Sequence, residues 1–217
     1  MENLIQTLAI YALPVILAIT LHEAAHGYVA RHFGDPTAWQ LGRVSMNPLR
    51  HVDPMGTIVV PALLLAASGG GMLFGWAKPV PVNFSRLREP KKDMLWVAAA
   101  GPAVNLLMAL GWASLIKLIE FSTVPESATA GLWIQMCVAG IEINTALMLL
   151  NLLPIPPLDG GRIAVSLLPH DLAWKFARIE PYGFVILLVL LFTHVLDMIL
   201  MPLRYGFTLL LGTLFNI

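Results

Sequence analysis

The chain has 217 residues, of which 58% are hydrophobic and only 12% charged. A soluble domain carries about 25% charged residues, so the composition excludes a disordered chain, a basic nucleic-acid binder and an ordinary cytosolic globule, and points to a multi-pass membrane protein. Lys+Arg and Asp+Glu balance at 13 each, and the one cysteine, Cys137, excludes an internal disulfide framework or a thiolate metal cluster.

The first apolar run starts at Leu4, with no Lys or Arg before it. It lacks the positive n-region of a signal peptide and is expected to be retained as helix one, over residues 4–33. Gly34-Asp35-Pro36 stops it, because a proline disfavours helical geometry in the residue before it. Residues 38–46 alternate loosely and suggest a short strand or hairpin. Residues 55–67 are apolar but short, and Gly69-Gly70-Gly71 follow, which suits a re-entrant or half-membrane segment over 55–74 better than a full crossing. A polar stretch over 83–93 precedes a full span over 94–119, and a short loop precedes another over 132–153. Residues 160–180 read as partly amphipathic and interfacial. The last clear span is expected over 182–201, with a shorter apolar tail over 207–215. The fold class is thus all-α and multi-pass, with about four full transmembrane helices, the half-membrane segment and the hairpin. The whole reads as one membrane domain, with a core over 4–168 and C-terminal helices over 169–217.

Loop charge sets the orientation. Arg31, Arg43, Arg50, Lys78, Arg86, Arg88, Lys91 and Lys92 all lie between helix one and the span at Met94, while the loop over 120–130 has no Lys or Arg. The positive-inside rule places the first group in the cytoplasm. Helix one then runs inward and the span ending near Leu153 also ends inward, provided that 55–74 enters and leaves on one side.

The chemistry concentrates in His22-Glu23-Ala24-Ala25-His26. Histidines at i and i+4 project from one helical face, so both can bind one metal while Glu23 stands beside it. Zinc suits nitrogen ligands and leaves a position open for water, which Glu23 is placed to deprotonate. A carboxylate inside an apolar run costs about 2.5 kcal/mol or more unless it is paired or working, which weighs against a chance motif. Two histidines do not close a zinc site. Asp159, after the inward end of the 132–153 span, is the best third ligand, because the loop charges bring it to the leaflet of His22 and His26. Its plainer reading is a turn residue before Gly160-Gly161.

His22-Glu23-x-x-His26, then Gly101-Pro102-x-x-Asn105, then Asn151-x-x-Pro154-x-x-x-Leu158-Asp159-Gly160 resemble the site-2 protease family of intramembrane zinc metalloproteases. Trp76-Ala77-Lys78-Pro79-Val80-Pro81-Val82-Asn83 resembles a loop of its small bacterial members. The resemblance implies one zinc ion held by His22, His26 and Asp159, with Glu23 as catalytic acid/base and Asn151 helping to hold substrate or its oxyanion. It implies transmembrane protein substrates, a plasma-membrane location and an active site toward the cytoplasm, without an appended PDZ or nucleotide-sensing domain.

On their own chemistry, Asn151 suits either an oxyanion contact or an interhelical hydrogen bond, and Asn105 suits packing, with Gly101 allowing close helix approach. His32 and His51 read as interfacial, His170 as a loop residue, and His194 as buried and hydrogen-bonded in the last span. Cys137 reads as a packing residue. The leading function is hydrolysis of a peptide bond in or near a transmembrane helix, with the substrate held extended against a strand edge within 38–46 and 76–84. The rival readings are a divalent-metal transporter and a proteolytically silent zinc-binding scaffold.

Overall fold

The computed structural model describes residues 2–67, 75–122 and 128–217. Helix α1 spans Glu2–His32. It ends at Gly34, where φ is +110° and Asp35 N donates back to Ala30 O at 2.9 Å. Four helices among the described residues are long and apolar enough to cross a membrane: Ala9–His32 of α1, Pro90–Phe121 (α4), Ala130–Asn151 within α5 (Ala128–Asn151), and Val195–Phe215 (α9). Small residues on α4 let neighbours approach closely. Ala109 and Ala113 pack with Cys137 and Ile141 of α5 and Leu211 of α9, while Val97 packs with Ala30 of α1. The helix α4 is thus the central member, touching α1, α5 and α9.

The expected hairpin over 38–46 is absent, and among the described residues there is no strand. Thr37–Gln40 forms one helical turn, α2. The cause is local: the Asp35 carboxylate accepts from Thr37 N at 3.1 Å and from the Thr37 hydroxyl, which turns the chain helically straight after Pro36. Gly42, at φ +62°, then ends the turn. Residues 75–83 have no regular secondary structure and form no ladder, so no strand edge exists there either. Their backbone groups go to separate partners: Trp76 N to Gly56 O at 3.0 Å, Lys78 N to His51 O at 2.8 Å, and Asn83 N to Asp35 Oδ2 at 2.6 Å.

The re-entrant course expected over 55–74 finds no support. Pro54–Val59 is π-helical and runs on into α3, Val60–Ala67, and residues 68–74 lie outside the described residues. The Asp53 carboxylate caps the start, accepting from Met55 N and Gly56 N at 2.9 Å each.

The C-terminal part also departs from expectation. The apolar run over 182–201 is not one helix. It breaks at Thr193-His194 into α8 (Glu180–Phe192) and α9, with His194 in the left-handed region at φ 58°. The crossing helix starts later and continues through Pro202 and Arg204. A proline inside a membrane helix is tolerated where local adjustments satisfy the freed carbonyl. Before it, α6 (Asp159–Leu167) and α7 (His170–Ala177) are two short helices.

Candidate metal centre

His22 and His26 lie one turn apart on α1, with ring centroids 4.8 Å apart. Asp159 is the first residue of α6. Pro154, Pro156 and Pro157 deny α5 a continuation, and α6 turns back against that segment so closely that only glycine fits beside it. A Cβ on Gly161 would lie 2.5 Å from Pro156 N, and one on Gly160 would strike the Leu152 and Leu153 carbonyls. This turn carries the Asp159 carboxylate back to α1.

Asp159 Oδ2 lies 3.2 Å from His22 Nε2 and 3.3 Å from His26 Nε2. All three groups are nearly removed from solvent, His22 at 7% and His26 at 9% exposure. Yet Oδ2 is buried without a hydrogen-bond partner. The other imidazole nitrogens are engaged: His26 Nδ1 donates to Val97 O at 2.7 Å, and His22 Nδ1 donates to Asn105 Oδ1 at 2.5 Å. With Nδ1 protonated in each ring, both Nε2 atoms present lone pairs. Two nitrogen lone pairs and an orphaned carboxylate oxygen therefore face one another in a poorly solvated space, which is unfavourable unless a cation lies between them. The donor set, two imidazoles and one carboxylate, suits zinc with an open fourth position, and the engaged Nδ1 atoms are the outer support that such histidines need. The residues fit the ion.

The support reaches further. Asn105 is fully buried and its amide donates to Asn144 Oδ1 at 2.9 Å and to Ala18 O at 3.4 Å. Asn144, also fully buried, donates to Gly140 O at 2.8 Å. A chain of hydrogen bonds thus runs from His22 on α1 through α4 to α5. Gly101 stands over the site: a Cβ there would lie 2.5 Å from Nε2 of both His22 and His26. Asn105 and Gly101 consequently do more than pack helices, since they contact the imidazoles directly.

Glu23 is partly buried and its Oε2 accepts from Val80 N at 2.7 Å. The segment 75–83 passes beside it, with Val80 against Gly27 one turn further along α1. Among the described residues, no hydrogen bond joins Asn151 to the cluster. Its amide donates to Leu147 O of its own helix at 3.0 Å, so the interhelical bond considered for it is not formed.

His51 is buried, and its Nε2 donates to Ser45 O at 2.9 Å. His194 is exposed, 3.3 Å from Asp197, because the helix breaks there. Asn144, Val80 and the Val97 carbonyl are contributors that sequence reasoning missed. An asparagine in an apolar span is a legible signal for the first, whereas backbone donors and acceptors leave none.

The profile of peptidase family M50 matches residues 111–194, which include Asn151 and Asp159. YwhC of Bacillus subtilis, named as a candidate zinc metalloprotease, is 40% identical over 189 residues, covering 87% of this chain and 82% of its own length. Rip2 of Mycolicibacterium smegmatis, named likewise, is 33% identical, covering 88% of this chain and 70% of its own. Rip2 of Mycobacterium tuberculosis is 31% identical over 84% of this chain and 66% of its own. No solved structure matches.

Proposed function

The chain belongs to peptidase family M50, the site-2 proteases, and from that premise we propose that it is an intramembrane zinc endopeptidase in which His22, His26 and Asp159 hold one zinc ion and Glu23 is the acid/base. The observation that carries this reading is the orphaned, buried Asp159 Oδ2 facing two imidazole Nε2 atoms at 3.2 and 3.3 Å. Zinc supplies Lewis-acid polarisation of the scissile carbonyl and acidifies the attacking water.

The chain's own residues supply the rest. Glu23 takes the proton of the attacking water and returns it to the leaving amine. Val80 N–H holds one Glu23 oxygen and so restricts how the carboxylate can turn. Asn105 and the Val97 carbonyl hold the two imidazoles in one orientation and tautomer. Asn151, near the start of the Asp159 turn, spends one amide N–H on Leu147 O and keeps the second for substrate or oxyanion. The surrounding helices keep bulk water from the ligands, which strengthens each electrostatic contact.

Substrates are membrane proteins cleaved in or near a transmembrane helix. We read the site as lying toward the cytoplasm of a plasma membrane, which the Lys- and Arg-rich segments between α1 and α4 support. The transporter reading is not favoured, since among the described residues the His, Cys, Asp and Glu side chains form one metal-competent group and no second one leading onward.

Metal analysis of the purified protein alongside cleavage of a model single-span substrate tests the reading. Wild type should carry zinc and cleave, Asp159→Ala should lose both, and Glu23→Gln should keep zinc and lose cleavage. Cleavage by Glu23→Gln would remove Glu23 from the chemistry.

A further inference from the structure

Two charged side chains stand in the middle of the crossing helices and take no part in the metal centre. Glu142 is on α5 and Arg204 on α9, and both are exposed. Among the described residues neither has an ion pair or hydrogen bond. A charge facing hydrocarbon is costly and is normally paired.

The two lie at one depth. Lys117 Nζ donates to Asn216 O at 2.6 Å, tying the end of α4 to the end of α9. Asn105 precedes Lys117 by as many residues as Arg204 precedes Asn216, about 18 Å of helix at about 1.5 Å per residue. Asn105 in turn bonds to Asn144 at 2.9 Å, and Glu142 is only about 3 Å along α5 from Asn144. Arg204 is about 13 Å from the start of α9, beyond the reach of a side chain that snorkels to a nearby interface.

Each charge also belongs to a polar stripe. On α5, Gln135 and Glu142 are separated by two helical turns and are both exposed, with Val138 between them. On α9, Arg204 and Thr208 are one turn apart and exposed. The two helices pack against each other, so the stripes lie on adjoining elements.

We propose that the α5/α9 face is a self-association surface, on which a second copy of this chain pairs its Arg204 with Glu142 of the first and its Glu142 with Arg204 of the first. The choice of a second copy follows from the charges. One chain carries both halves of the complementary pair at one depth, so a two-fold contact about an axis along the membrane normal neutralises all four charges without another component. A different membrane protein would have to supply a matching acid and base at that depth.

The test uses full-length chains in lipid nanodiscs or vesicles, with self-association read by energy transfer between labelled copies at several lipid dilutions. Wild type should associate. Arg204→Glu and Glu142→Arg, each alone, should weaken association by about tenfold or more, because each homodimer then opposes like charges. Mixing the two variants should restore association to near the wild-type level, because each heterodimer contains two opposite-charge pairs. Arg204→Gln and Glu142→Gln, which are milder, should each weaken it too, and retained zinc and helical signal certify that a variant is folded. Monomeric wild type would overturn the proposal, as would singles that associate normally. Folded singles that do not complement in the mixture, while the double exchange E142R/R204E regains thermal stability, would assign the charges to a pair within one chain and overturn it equally.

Discussion

His22 Nδ1 and Asn105 Oδ1 lie 2.5 Å apart, across the α1–α4 interface and at complete burial of the asparagine. The contact fixes which imidazole nitrogen is free. On the proposed zinc-binding reading, a residue of the central helix then governs metal affinity without touching the metal. Asn105→Ala should lower zinc affinity by about 10–100-fold, the usual cost of losing such a partner. Chelator competition measures it. Asn144→Ala acts through Asn105, so its loss should be smaller and in the same direction.

Gly101→Ala separates helix propensity from site geometry. Alanine is favoured over glycine in a helix by about 1 kcal/mol, yet its Cβ would lie 2.5 Å from both ligand nitrogens. Overpacking costs about 1–3 kcal/mol and here falls on the imidazoles. The variant should lose zinc while remaining helical. Zinc content and circular dichroism on the same sample decide it, and full zinc occupancy would show that the helices give way.

Val80→Pro removes the N–H that Glu23 Oε2 accepts at 2.7 Å without removing a side chain from the metal centre. Val80 already sits between Pro79 and Pro81, and a residue before proline is biased to extended backbone, so the new ring meets little backbone conflict. A hydrogen bond to a charged group is worth about 1.5–3 kcal/mol, or about 10–100-fold. Cleavage should fall by about that factor with zinc retained. Equal losses of zinc and activity would mean that the segment supports the ligands instead.

Asp35→Asn tests what anchors that segment. Its carboxylate is fully buried and accepts from Asn83 N at 2.6 Å as well as from Thr37. An amide in its place turns an N–H toward an N–H on one side or the other. Loss of a bond to a charged acceptor should destabilise the fold by about 1.5–3 kcal/mol, visible as a lower thermal midpoint and faster proteolysis near residues 37–46 and 76–88.

Part of the proposed metal centre is legible in the chain itself. The two-histidine spacing needs only helical periodicity, whereas loop charge with span length brings Asp159 to the same end of the bundle only with a re-entrant course over 55–74, for which the fold gives no support. The multi-pass character follows from composition, because 58% hydrophobic residues have no other way to be buried in a chain this small. Local readings fail where a side chain decides the backbone. Asp35 captures Thr37 and turns an alternating stretch into helix, and the break at Thr193-His194 falls in the middle of an apolar run that looks continuous. The contacts around the ligands could not be read along the chain at all. Asn105 on His22, the Val97 carbonyl on His26 and Val80 N–H on Glu23 join residues 57 to 83 positions apart, and two of the three involve backbone groups that every residue carries. Identity sets the ligands; only the packing of α1 against α4 and the passage of residues 75–83 decide which proton each ring keeps and where the carboxylate of Glu23 points.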